Sequence, residues 1–279
     1  MTNPILACPL CKGPLSVVQN SLVCPANHCF DRAKQGYWNL LAVQQKKSID
    51  PGDNPGMVSA RSQFLDLNHY LPLAETVQGL LQQYTAHLAS AQILDMGCGE
   101  GYYTNLWQNA LTQHQFIGLD ISKHAVKAAT RRNKEIAWLV ASGANMPVAD
   151  NSLDVLSVLF SRLMPAPFAK VLKDNALLIL VWPSSDHLAQ LKQQMYKDVK
   201  DSSYDPVAEL ESLFNLKSQQ TLSFDFTLDS AEHLQTLLLM TPHGQRINDE
   251  TKAHLINQLP MTLSFSVNIG CFEKRASAS

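Results

Sequence analysis

Ile93-Leu94-Asp95-Met96-Gly97-Cys98-Gly99-Glu100-Gly101 decides how this 279-residue chain reads. A short apolar run with strand character ends in a turn that has glycine at every second position, and helical spacing resumes at Tyr102. Glycines at such a point let the backbone bend sharply at the carboxyl end of a strand and let a ligand come close to it. The next apolar run ends in Gly118-Leu119-Asp120. An acid about 20 residues beyond the glycines is placed to accept both hydroxyls of a ribose. The segment predicts a nucleoside-binding corner. Its candidate contacts are Asp95, Gly97, Gly99, Glu100, Gly101, Tyr102, Asp120 and the adjoining Ile121.

Strand-like runs at 92–95, 116–120, 137–141, 153–160 and 176–182 alternate with helix-like runs at 102–111, 123–132 and 186–200. Two further strands, 221–227 and 262–270, accompany helices at 230–240 and 249–259. The pattern predicts an α/β fold, a mostly parallel seven-stranded Rossmann-like sheet covered by helices. Leu263, Phe265, Val267 and Ile269 alternate with polar residues, as suits an antiparallel pair with one exposed face. Between 141 and 147, Ser142 and Asn145 could each bond the edge of an adenine, or the segment could be a plain turn. Ahead of the sheet, Asp50-Pro51-Gly52-Asp53-Asn54-Pro55-Gly56 has the density of a loop, and helical spacing follows at Phe64, Leu65, Leu73, Val77, Leu81 and Tyr84. We expect a small module over 1–41, a linker and helical connection over 42–90, and the α/β domain over 91–279.

Four of the six cysteines lie in the first 29 residues: Cys8-Pro-Leu-Cys11, then Cys24-Pro-Ala-Asn-His28-Cys29. Zn²⁺ takes four tetrahedral nitrogen or sulfur ligands, and a C-x₂-C turn supplies two thiolates. Cys24 and either His28 or Cys29 would complete the set. A unit of about 40 residues buries too little apolar surface to fold alone, so a metal would supply the missing stability. Four protein ligands leave no open position, which makes such a site structural. The clustering in a chain that opens Met1-Thr2-Asn3-Pro4, with no basic segment before an apolar one, favours metal over disulfides.

The chain carries a formal net charge of −2. Within residues 1–50, Lys12, Arg32, Lys34, Lys46 and Lys47 face only Asp31 and Asp50, a local net of +3. A basic front on an acidic body points to a polyanionic partner. Those five cations and Arg162 are the candidate phosphate contacts. Phe30, Tyr37 and Trp38 could stack on bases, but more often such residues form the small core under a zinc site. Apolar runs such as 176–182 are far shorter than the roughly 20 residues that span a bilayer. A cytoplasmic protein is expected.

Cys8-x₂-Cys11, Cys24-Pro25-x₂-His28-x-Phe30-Asp31-x-Ala33-x₂-Gly36-Tyr37-x-Asn39-Leu40-Leu41 resembles the N-terminus of the RlmA family of 23S rRNA guanine-N1 methyltransferases. The likeness continues through Asp50-Pro51-Gly52-Asp53, Ala60-Arg61, His69-Tyr70-x-Pro72-Leu73, the glycine corner and Met240-Thr241-Pro242. It implies a class I methyltransferase fold that binds S-adenosylmethionine at that corner. It further implies a structural zinc held by Cys8, Cys11, Cys24 and His28, a homodimer, and N1 methylation of a guanine in a hairpin of 23S rRNA domain II. Where the family often has Lys-Pro-Gly-Gly, this chain has Lys173-Asp174-Asn175-Ala176; Asn175 can take positive φ, so the turn should persist. The exit of the fourth strand, Phe160-Ser161-Arg162-Leu163-Met164-Pro165, borders the methyl group in this fold.

Methyl transfer from a sulfonium is an in-line displacement in which positioning is the main catalytic contribution. Guanine N1 must lose a proton, to a base or with help at O6. Asp31, Glu100 and Asp154 are the candidate acids for that base, each also open to a structural or cofactor-binding role, and Arg162 could polarise O6 or bind phosphate. Two other functions stay open on the sequence: an RNA-binding assembly factor that kept the fold but lost activity, suggested by the altered 160–176 segment, and a methyltransferase for a small metabolite.

Overall fold

The structure is a computed structural model that describes residues 5–42, 48–195, 204–241 and 247–276. Lys46, Lys47, Pro242 and the end of the expected helix 186–200 lie outside those residues.

The chain opens with a three-stranded antiparallel sheet, β1 (Ser16–Val18), β2 (Ser21–Val23) and β3 (Cys29–Asp31). A fourth strand, β4 (Trp38–Asn39), leaves this hairpin and enters the main sheet. Helix α1 (Pro55–Asp66) starts at Asn54, whose side chain accepts the Met57 N–H at 3.0 Å, with Pro55 in the first turn where no amide donor is needed. Helix α2 (Leu71–Thr85) follows.

The α/β units are β5 (Gln92–Met96), α3 (Tyr102–Ala110), β6 (Gln115–Asp120), α4 (Lys123–Arg132), β7 (Ala137–Val140), β8 (Leu153–Leu159), α5 (Pro165–Val171) and β9 (Leu172–Pro183). Ser122 caps α4, and Arg131 and Arg132 sit at its other end, where the helix dipole favours cations. Then come α6 (Ala189–Met195), α7 (Pro206–Leu210), β10 (Phe214–Leu228), α8 (Ala231–Met240), α9 (Asp249–Asn257) and β11 (Met261–Lys274).

The main sheet runs β10-β11-β9-β8-β5-β6-β7-β4. Every pairing is parallel except those of β11, which is antiparallel to β9 and β10. The sheet thus has the seven strands expected plus β4, with Trp38 opposite Leu139. A two-residue strand has no signature in a sequence. Helix α5 was not among the expected elements; it opens on Pro165, and proline is tolerated in a first turn. The helix expected from 186 begins at Ala189, directly after Leu188, whose φ of +52° is not helical. Asn175 takes φ +63° inside β9, where the pairing with β8 shifts register between Leu172 and Leu177.

Alternate residues of the strands feed two cores. Ile93, Val155 and Ile179 join the layer of α2, α3 and α8. Leu94, Ile117 and Leu178 pack on the other face, together with Leu6, Cys8, Leu15, Leu22, Cys24 and Trp38. The cysteine-rich hairpin therefore covers part of a sheet face, a place that helices take in an ordinary α/β domain.

Candidate functional site

Past Met96 the chain turns at Gly97, Gly99 and Gly101 with φ of +79°, +57° and +83°. The Gly97 and Cys98 N–H groups donate to the Leu119 carbonyl at 2.8 and 3.1 Å, which folds the turn over the end of β6. A Cβ on Gly97 would stand 2.6 Å from Ser161 Oγ, and one on Gly101 would stand 2.6 Å from the Trp138 ring. Glycine is required at both positions for space as well as for conformation.

Asp120 closes the corner. Its Oδ2 accepts the Gly99 N–H at 2.9 Å and its Oδ1 accepts the Ser122 N–H at 2.8 Å. Each oxygen keeps a second lone pair. Burial pushes this carboxyl upward, opposed by the two N–H groups. Ile121 is half-buried beside it.

The other acids lie behind the corner. Asp95 is 2% exposed and accepts Thr104 Oγ1 at 2.6 Å and Ser157 Oγ at 3.0 Å. Burial raises its carboxyl to about 6, against the pull of those two hydroxyls. Glu100, also 2% exposed, forms an ion pair with Arg132, which binds Asp66 at 2.8 Å as well. Tyr102 donates its hydroxyl to Asn68 at 3.1 Å. These three brace the turn, because their polar atoms already have protein partners.

Three residues at the corner, Ser122, His124 and Arg61, were not among the expected site residues. Ser122 Oγ donates to the Asp53 carbonyl at 2.7 Å, and His124 meets Asp50 at 2.8 Å, so the Pro-Gly loop is packed against the Asp120 side of the corner. Arg61 pairs with the Asp53 carboxylate, donates to the Met240 carbonyl at 3.1 Å and lies 3.7 Å from where a Gly99 Cβ would be. Arg61 fell within the family-like segment, but no spacing marked its place.

At the opposite rim Ser142 accepts the Ala144 N–H at 3.3 Å and caps a single 3-10 turn, Gly143–Asn145. The Asn145 amide reaches the other way, accepting from Lys12 Nζ and donating to the Pro9 carbonyl at 3.4 Å. Partial burial and nearby Lys170 lower the Lys12 ammonium. A candidate adenine contact and a candidate phosphate contact are thus each other's partners, and both fasten the cysteine hairpin to this loop. Ala7 N–H to Pro147 O and Ala149 N–H to Ile5 O, at 2.9 and 2.8 Å, add to that seam.

In the hairpin, the ligand atoms of Cys8, Cys11, Cys24 and His28 lie within 4.8 Å of one another. His28 Nδ1 is 3.5 Å from Cys8 Sγ and 3.4 Å from Cys24 Sγ, and the Cys11 and Cys24 sulfurs are 3.5 Å apart. Zn–S bonds of about 2.3 Å and Zn–N bonds of about 2.0 Å set tetrahedral edges of roughly 3.5–3.8 Å, so the four donors fit zinc. Cys29 is exposed and faces Asp31 at 3.9 Å, away from that cluster. Of the other candidate cations, Arg32 is held in the module, donating to the Gly36 carbonyl at 3.0 Å with its guanidinium 4.8 Å over the Trp38 ring. Lys34 and Arg162 are exposed. Trp38 is buried in the core that also holds Cys8 and Cys24, with Phe30 packed against it, as expected, whereas Tyr37 is buried in the core on the opposite face of the sheet.

Each of the three candidate acids for a base is either engaged by a protein partner or remote from the glycine corner. Asp31 is an exposed hairpin residue held by Ser21 Oγ at 2.7 Å, and Glu100 is locked to Arg132. Asp154 pairs with Lys173 at 2.6 Å and accepts the Gln92 N–H at 2.8 Å, near the start of β8 and so at the far end of the sheet.

Comparison with known proteins adds to this geometry. A zinc-ribbon family profile described as RlmA, N-terminal, matches residues 6–49, and one described as a methyltransferase domain matches residues 93–177. The chain is 30% identical over 271 residues to the 23S rRNA (guanine(748)-N(1))-methyltransferase of Streptomyces fradiae, with 95% of each chain covered. The chain belongs to the 23S rRNA (guanine-N1)-methyltransferase family. YxjB of Bacillus subtilis, whose name assigns it the same reaction provisionally, is 31% identical over 84% of this chain and 85% of its own. A crystal structure of a provisionally named methyltransferase from Bacillus halodurans C-125 superimposes with a TM-score of 0.51 at 14% identity, over 71% of this chain and 99% of that one. It shares the class I fold. The family's cofactor is S-adenosylmethionine, and the zinc-ribbon match spans the Cys8, Cys11, Cys24 and His28 cluster.

Proposed function

We propose that this protein transfers the methyl group of S-adenosylmethionine to N1 of a guanine in a hairpin of 23S rRNA domain II. The observation that carries the reading is a likeness to a 23S rRNA guanine-N1 methyltransferase that runs through both the zinc hairpin and the cofactor domain. A small-metabolite enzyme would have no use for the hairpin, and an inactive assembly factor would have no use for an intact glycine corner.

Bound at the corner, S-adenosylmethionine would supply an electrophilic methyl group. Asp120 takes the ribose hydroxyls with its remaining lone pairs, and Gly97 and Gly99 admit the donor against bare backbone. Ile121 provides apolar contact and Ser142 a polar one on the adenine side. Asn145 serves chiefly to hold the hairpin, given its bonds to Lys12 and Pro9. Asp95, Glu100, Gly101 and Tyr102 keep the turn rigid, which matters because in-line transfer depends on alignment. Cys8, Cys11, Cys24 and His28 hold zinc, and 1–41, 42–90 and 91–279 act as zinc module, connection and catalytic domain. Lys34 and Arg162 are offered to RNA phosphates, Lys12 is held by Asn145, Arg32 supports Trp38, and Lys46 and Lys47 extend the basic front in sequence. The protein acts as a homodimer in the cytoplasm; among the described residues no helix is long and apolar enough to cross a membrane.

Primer extension on rRNA from a deletion strain tests the reading. N1-methylguanine cannot pair, so reverse transcription should stop at one guanine in the parent, read through in the deletion strain, and stop again when the gene is restored. A stop that persists in the deletion strain would show the substrate to be wrong.

A further inference from the structure

Among the described residues Phe160 alone is both an exposed large apolar side chain, 43% accessible, and a non-glycine residue at positive φ, +52°. Left-handed backbone is unfavourable for a bulky residue and persists only where the surroundings impose it. Here the Phe160 N–H donates to the Val181 carbonyl at 3.1 Å, and the next residue, Ser161, stands against Gly97. A ring held at such cost, yet half in solvent, is not explained by packing.

A second strained residue supports the same place. Leu188 has φ +52°, a buried side chain and an N–H that donates to the Ser264 carbonyl at 2.8 Å. It fixes its neighbour His187, whose Nδ1 accepts the Ser266 N–H at 3.3 Å. The Phe160 and His187 rings lie 6.2 Å apart and are tilted by 32°. Both meet Phe265 edge-on, at 86° and 78°. Phe265 stacks on Phe224 at 4.7 Å, so the pair rests on an ordered aromatic floor. Phe160 directly follows β8, the strand beside β5, and so stands at the mouth of the corner where a methyl acceptor must arrive.

We propose that Phe160, backed by His187, is the face on which the target guanine stacks after leaving the RNA. The inference rests on the rRNA reading above. A base that is to be modified has to come out of its stack, and aromatic side chains replace the lost stacking without regard to sequence. Fixing the ring in advance, through two strained backbone positions, leaves little entropy to be lost when the base docks.

The probes are a 23S rRNA fragment transcribed in vitro, hence unmodified, and S-adenosylhomocysteine. The wild-type protein must first produce a guanine-N1 stop on the transcript; failure there removes the rRNA reading itself. With that activity in hand, Phe160→Ala should lower kcat/KM for the transcript about ten- to a hundredfold, and Phe160→Tyr should keep most of it. Both should bind S-adenosylhomocysteine as the wild type does by calorimetry. Phe160→Gly separates folding from stacking, because it relieves the positive φ while deleting the ring; its Tm should stay within about 5 °C of wild type and its activity should fall as in Phe160→Ala. Wild-type kcat/KM in the alanine or glycine variant overturns the proposal. So does a loss of cofactor affinity as large as the loss of activity.

Discussion

Strand β1 of the zinc hairpin has no buried residue, whereas β5 beneath the glycine corner is buried from Ile93 to Met96. Within β1, β2 and β3 only Leu22 is fully covered. The hairpin is held by four clustered ligands and by its seam with residues 145–149; the corner is held by a packed parallel sheet. Two sites that together make one enzyme thus depend on different forces. Metal chemistry, aided by the few apolar residues that dock on the sheet, maintains the first, and apolar burial the second.

Removal of the metal should break the comparison most visibly. Structural zinc contributes on the order of 10 kcal/mol in small modules. A chelator should therefore release residues 5–31 to rapid hydrogen exchange while β5, β6 and β8 stay protected, and methylation of rRNA should cease. A hairpin that keeps its protection would mean that docking on the sheet suffices. Next in size is Asp120→Ala, which deletes charge-assisted bonds to a ribose and the tie to Gly99. We expect a loss of about 3 kcal/mol, or roughly a hundredfold, in S-adenosylhomocysteine affinity with zinc content unchanged. Retained affinity would reject its ribose role.

Asp95 sharpens the picture of a corner governed by burial. Its carboxyl is raised from 3.8 to about 6 in the folded protein. A raised acid favours folding in its protonated form, so its contribution is full below pH 3.8 and is lost as pH rises through about 6. Relative to Asp95→Asn, the wild type should gain on the order of 2–3 kcal/mol of unfolding free energy between pH 7 and pH 4. A pH-independent difference would show that the Thr104 and Ser157 hydrogen bonds offset burial in full. The smallest effect tests the seam. Asn145→Ala removes bonds to Lys12 and Pro9 and should cost about 1 kcal/mol, read as faster exchange in residues 5–13. An equal loss of cofactor affinity would return Asn145 to the adenine edge.

The glycine turn, the Asp120 strand end, helix α4 over Lys123–Arg132 and the cysteine spacing were all legible, because each is a local rule: a backbone conformation, a cap or a ligand interval. Strand β4 was not, since two residues carry no periodicity and pair with β7 across about a hundred positions of sequence. The division of labour among the acids was not legible either. Asp95, Glu100 and Asp120 look alike in the sequence; what distinguishes them is that two are enclosed with protein partners and one stands at the rim. Phe160 drew notice as an irregular strand exit, but nothing local reveals that its ring is exposed and its backbone strained.

By itself the sequence determined that this chain has a sulfur-rich metal hairpin, a parallel sheet and a nucleoside corner. Those depend on residue types at short intervals, and short-range sterics and coordination chemistry fix them wherever they occur. Only the tertiary structure decided that the hairpin lies on a face of the sheet, that Lys12 is spent on Asn145, and that Phe160 and His187 meet at the mouth of the corner. Such facts are long-range: they depend on which surfaces the packed sheet leaves open, and no interval along the chain encodes that.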